Sequence, residues 1–79
     1  MAFLILIVDS DPLQAESLCR FLNTQGYRAE SARSAVEMFK QMDQRKPDLI
    51  MLETVLPDSD GFSLMRSIQE RQPGLPVIC

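Results

Sequence analysis

Two acidic residues each follow directly on an apolar run: Asp9 after Phe3–Val8 and Glu53 after Leu49–Leu52. A third, Asp11, stands two residues beyond Asp9. Carboxylates gathered at one site repel one another, so the arrangement needs a positive counterpart. A hard divalent cation such as Mg²⁺, held by oxygen ligands, is the simplest one. Asp11 also has a purely local reading, because it directly precedes Pro12 at a helix start. Asp9 has none, since nothing in strand packing needs a charge there. The chain has no histidine, which removes the commonest general base and the commonest zinc ligand.

The carboxylates meet only if the flanking elements bring them together. The run Phe3–Val8 reads as a strand buried on both faces, as in a parallel sheet covered by helices. A helix follows, with Asp11 as N-cap, Pro12 at its first position and Gln14 placed to close a capping box. Ala15, Leu18 and Leu22 share its inner face, and Gly26 supplies its left-handed cap. A short strand over Tyr27–Ala32 comes next. The second helix opens on a Ser34–Glu37 capping box, buries a stripe of Ala35, Val36, Phe39 and Met42, and stops before Pro47. Leu49–Leu52 is the third strand and residues 56–61 form a loop. Phe62–Gln72 is the third helix, with Phe62, Leu64, Met65 and Ile68 apolar, and Pro76–Cys79 starts a fourth strand. The order βαβαβαβ specifies an α/β fold, a doubly wound parallel sheet with helices on both faces. Asp9 and Glu53 then lie at the carboxyl edge of the sheet. Ligands bind there, where strand order reverses, provided the first and third strands are neighbours.

Composition narrows the function. At 79 residues the chain makes one small domain, read here as residues 1–79, and 46% hydrophobic against 24% charged residues argues against disorder. Net charge is −3 and the basic residues are scattered, which argues against direct nucleic-acid binding. Cys19 and Cys79 lack metal-type spacing and read as buried free thiols of a reducing compartment. The N-terminal apolar run is too short to span a membrane and lacks a basic flank, so a cytoplasmic protein is expected.

The segments LILIVDSDP (4–12), GYRAESARSAVE (26–37), PDLIMLETVLPDSDGFSLMRSI (47–68) and PGLPVI (73–78) together resemble a bacterial response-regulator receiver domain, the CheY-like family. The resemblance covers nearly the whole chain in the correct order. It implies a flavodoxin-like receiver fold with strand order 2-1-3-4, the family's last helix–strand–helix being absent. It also implies a signalling module of a two-component phosphorelay, not an enzyme. In that family a histidine kinase phosphorylates an aspartate at the end of the third strand, and acidic residues after the first strand help to hold Mg²⁺. Carried onto this chain, the phosphoacceptor position is Glu53. The metal ligands are Asp9, Ser10, Glu53 and the Val55 backbone carbonyl, and Pro57, Asp60 and Gly61 form the loop after the third strand. The implied partners are a sensor histidine kinase or another signalling protein, and an output region such as a transcription regulator in the full-length protein. The open edge at the fourth strand predicts homo-oligomerisation.

The chain departs from that pattern at two chemical positions. Ser10 replaces a carboxylate, which removes a charge and predicts weak Mg²⁺ binding. Glu53 is one methylene longer than aspartate. That displaces its carboxylate by roughly 1 Å, an error that can cost about 100-fold in an in-line reaction. Its oxygens reach toward the space of a phosphoryl group and imitate it in part, with one charge instead of about two. These departures predict an atypical, phosphorylation-independent receiver, with a working Mg²⁺-dependent phosphoacceptor as the alternative. A more distant alternative comes from Asp9-Ser10-Asp11, which is similar to the D-x-D motif of haloacid-dehalogenase-type phosphatases. Asp9 would be the nucleophile and Asp11 the general acid, though Leu13 stands where that family places threonine.

Overall fold

The computed structural model describes residues 2–53 and 55–79, with the Val55 side chain outside the description. Its elements are β1 (Leu4–Val8), α1 (Pro12–Thr24), β2 (Arg28–Ala32), α2 (Ala35–Gln44), β3 (Leu49–Leu52), β4 (Val55–Leu56), β5 (Ser59–Asp60), α3 (Gly61–Arg71) and β6 (Val77–Ile78). The main sheet is parallel, in the order β2-β1-β3-β6. This is the expected 2-1-3-4 order once the two-residue strands β4 and β5 are counted. Those two were expected as loop. They form a small antiparallel ribbon, Val55 opposite Asp60 and Leu56 opposite Ser59, turned by Pro57-Asp58.

Every residue of β1 is buried, as its unbroken apolar run requires of a central parallel strand. Its side chains alternate between two cores. Leu6 and Val8 join Ile50, Leu52, Ala35, Met38, Leu64 and Ile68 beneath α2 and α3. Ile5 and Ile7 meet Ala15, Leu18 and Leu22 beneath α1. Helices therefore cover both faces, and the sheet is doubly wound.

The helix boundaries follow from local chemistry. Asp11 Oδ1 accepts the Leu13 and Gln14 amides, and Ser34 Oγ accepts the Glu37 amide. Each expected capping box is made in its forward half. Gly26, at φ +92°, ends α1 with the Gly26 amide on Asn23 O and the Tyr27 amide on Leu22 O, the paired bonds of a Schellman motif.

Two burial expectations, for Val36 and for the cysteines, need correction. Val36 is 56% exposed, and Met38, at 0%, takes its place in the α2 stripe. At 100° per residue Val36 lies about 200° round the helix from Met38, on the far side from the sheet. Phe62 is 88% exposed for the same reason, lying about 200° from Leu64, while Leu64 and Ile68 carry the buried face of α3. The two cysteines are free but not deeply buried. Cys19 is half-buried beside α1's inner face, and Cys79 is exposed because it lies past the two-residue β6. Among the described residues no helix is long and apolar enough to cross a membrane.

Candidate functional site

β1 and β3 are hydrogen-bonded neighbours with Val8 opposite Leu52, so Asp9 and Glu53 emerge side by side at the carboxyl edge of the sheet. Backbone bonds fix both exits: the Asp9 amide donates to Ala32 O at 3.0 Å and the Glu53 amide donates to Val8 O at 2.9 Å. This is the crevice where the strand order reverses, since β1 leads outward to β2 on one side and β3 lies on the other.

Within it Glu53 meets Ser10. The Ser10 amide donates to Glu53 Oε2 at 2.8 Å, and the Ser10 hydroxyl donates to the same oxygen at 2.9 Å. These bonds, the amide's first and the hydroxyl's second, hold the Glu53 carboxyl below the usual glutamate range, with Asp9 adding in the same direction. Asp9 Oδ1 accepts the Asp11 amide at 2.9 Å. Asp11 turns its own carboxylate to the start of α1, as N-cap, and does not join the other two. The residue that reads as a possible third ligand is thus a capping residue. As the general acid of a phosphatase it would have to leave that role.

The loop after β3 is organised by two further aspartates. Asp60 caps α3, accepting the Ser63 amide at 2.9 Å and the Ser63 hydroxyl at 3.1 Å, and those bonds in that order lower its carboxyl from the ordinary range. Gly61 is buried directly behind it. Asp58 reaches a different element. Its Oδ1 accepts the Ala35 amide at 2.9 Å and its Oδ2 the Val36 amide at 3.1 Å, which fastens the loop to the first turn of α2. The Ala35 bond first, with Val36 helping, lowers the Asp58 carboxyl as well. With Ser34 on the Glu37 amide, three of the otherwise unpaired amides at the start of α2 are satisfied. Sequence reasoning passed over Asp58. An acid after proline in a turn is a weak signal, and its partners lie 22 and 23 residues away in the chain.

The donor set can be tested against Mg²⁺. That ion demands a near-octahedral shell of oxygens, commonly one or two carboxylates with waters. Here Ser10 Oγ donates its proton to Glu53, and Glu53 Oε2 already accepts two hydrogen bonds. Among the described residues no three His, Cys, Asp or Glu side chains are disposed to hold one metal ion. Asp9 and Glu53 supply the two carboxylates that Mg²⁺ commonly uses, but Ser10 Oγ and Glu53 Oε2 are already spent on each other, which leaves fewer oxygens free for a cation. The backbone of Val55 pairs in the ribbon with Asp60.

The basic residues are less scattered in space than in sequence. Arg28, Arg45 and Lys46 line one groove at the opposite edge of the sheet, and Arg45, Lys46 and Arg71 line another. Arg28 and Arg45 both pair with Glu30, and Arg71 pairs with Asp43 while its guanidinium lies over Phe39.

Comparison with known proteins gives this geometry a context. Residues 5–79 match the family model described as the response regulator receiver domain. The chain is 33% identical over 78 residues to the response regulator MprA of Mycobacterium ulcerans, covering 99% of this chain and 34% of that protein. It is 35% identical over 74 residues to the transcriptional regulatory protein GlrR of Escherichia coli, covering 94% of this chain and 17% of that one. It therefore spans about a third or less of the length of these relatives. Among solved structures, the receiver domain of HemR from Leptospira biflexa superposes with a TM-score of 0.85 at 32% identity, over 94% of this chain and 60% of that one. A CheY-like receiver from Methanospirillum hungatei superposes at 0.91 and 28% identity, over 98% and 62%. A parallel β2-β1-β3-β6 sheet, an acidic crevice at its carboxyl edge and a family match over almost the whole length agree, and the chain belongs to the receiver domains of two-component response regulators.

Proposed function

We propose that this receiver works as a phosphorylation-independent interaction module, with Glu53 as a fixed substitute at the phosphoacceptor position. The observation that carries this reading is that Glu53 Oε2 accepts both the amide and the hydroxyl of Ser10. A nucleophilic carboxylate has to present a lone pair in line with the donor's phosphorus, and one held by two hydrogen bonds has lost both freedom and basicity. The added methylene works in the same direction. Metal binding at Asp9, Ser10, Glu53 and the Val55 carbonyl is then weak, and the module reads out through protein contacts.

Its partners, on this reading, are a histidine kinase or another signalling protein that recognises the carboxyl edge. The full-length protein carries an output region, as the transcriptional regulators among its relatives do. The exposed Ile78 at the end of β6 favours self-association of the isolated domain.

The second reading, a working acceptor, draws on Glu53 Oε1, which accepts no hydrogen bond from the described residues and so retains a lone pair. One experiment separates the two. The protein is incubated with a small-molecule phosphodonor and Mg²⁺ and its intact mass is measured. No gain of a phosphoryl group is expected. An adduct that maps to Glu53 would overturn the proposal in favour of the second reading.

A further inference from the structure

We infer that Ser10 takes over the work of the divalent cation at this site, so that Ser10 and Glu53 form a single functional unit. The inference rests on the phosphorylation-independent reading above and names how that state is held. Asp9 and Glu53 leave adjacent strands at the same level, and two carboxylates so placed need a positive counterpart. The turn between β1 and α1 supplies it from within the chain. Three donors on two consecutive residues face the pair: the Ser10 amide and hydroxyl on Glu53 Oε2, at 2.8 and 2.9 Å, and the Asp11 amide on Asp9 Oδ1, at 2.9 Å. Successive backbone amides turned toward one place form an anion-binding concavity. Here the anions that occupy it are the protein's own side chains.

The side chain at position 10 decides which counterpart the crevice uses. Serine brings a hydroxyl proton and no charge. An acid in its place brings a third carboxylate beside Asp9 and Glu53, loses the hydroxyl donor, and can be neutralised only by a cation. The extra methylene of Glu53 belongs to the same arrangement, because its carboxylate reaches across to the β1–α1 turn and meets Ser10. The two departures from the family pattern look independent in the sequence, yet the structure places them at the two ends of the same hydrogen bonds. The pair therefore sets specificity: with Ser10 the crevice is closed by hydrogen bonds, and with an acid it is returned to metal.

The test compares the wild-type chain with Ser10→Asp, Ser10→Ala and Ser10→Asp/Glu53→Asp. Melting temperatures are taken in a chelator and in saturating Mg²⁺. Wild type should melt within about 1 °C of itself in the two conditions. Ser10→Asp should melt lower in chelator and rise by about 4 °C or more with Mg²⁺. The double variant should respond to Mg²⁺ at least as strongly. Ser10→Ala, which keeps the amide and loses the hydroxyl bond to Glu53, should melt below wild type in chelator. A wild-type response to Mg²⁺ equal to that of Ser10→Asp overturns the inference, as does a Ser10→Ala protein that melts with wild type in chelator. Phosphoryl transfer to wild type sinks the parent reading instead. The two failures are therefore told apart by different measurements.

Discussion

Replacing Met38 by alanine should unfold a large part of this domain's stability, whereas replacing Val36 two residues earlier should do almost nothing. Met38 is 0% exposed and packs in the core formed by β1, β3, α2 and α3, while Val36 is 56% exposed on the same helix. Truncating methionine removes three heavy atoms. At about 0.8 kcal/mol per methylene-sized group that is about 2.4 kcal/mol of lost transfer energy. The cavity left behind adds to it, which places the cost at about 3 kcal/mol, inside the ~2–5 kcal/mol seen for such changes. A 79-residue domain has only about 4–12 kcal/mol to lose. For this size each kcal/mol is worth about 4–8 °C, so Met38→Ala should melt roughly 12–24 °C lower. Val36→Ala loses a half-wet side chain and gains helix propensity, leaving a change within about 0.5 kcal/mol. Thermal denaturation followed by circular dichroism measures both. Equal losses in the two variants, or a Met38→Ala protein melting within about 4 °C of wild type, would refute the assigned face of α2.

Two further outcomes can be checked. Glu53, Asp58 and Asp60 all have folded-state pKa values lowered by hydrogen bonds. In the acid range the unfolded chain therefore binds more protons, and stability rises with pH there. Their contribution is complete above the unfolded values of about 4 and drains away as pH falls through the lowered ones. With no histidine to titrate, urea midpoints should be nearly flat from pH 7 to about 5 and fall below about 4, and Asp58→Asn should make that fall shallower. A midpoint that declines between pH 7 and 5 would contradict this. Asp58→Ala should also accelerate hydrogen exchange at the Ala35 and Val36 amides severalfold, while the Glu37 amide, held by Ser34, changes less. Unchanged rates at Ala35 and Val36 would mean that the loop does not fasten α2.

The chain order of strands and helices was legible in the sequence because each element is announced locally. The apolar runs at Phe3–Val8 and Leu49–Leu52 and the caps at Asp11, Ser34 and Gly26 act within a few residues of themselves. Burial direction was less legible: placing Val36 in the buried stripe overlooked that it sits about 200° from Met38, which faces the sheet. The ribbon at residues 55–60 was missed because two-residue strands have no period to detect.

The sequence by itself determined that acids would stand at the carboxyl ends of two strands, and it puts glutamate at position 53 and serine at position 10, where the resemblance implies an acceptor aspartate and a metal-binding carboxylate. These are matters of residue type and position. Only the tertiary structure decided what those residues do to one another. Ser10 and Glu53 are 43 residues apart and become hydrogen-bond partners because β1 pairs with β3 in one register. Asp58 fastens α2 because the turn after β4 folds back over the same layer. Hydrogen bonds act over about 3 Å, and no pattern in a linear chain encodes which distant atoms the sheet will bring within that reach.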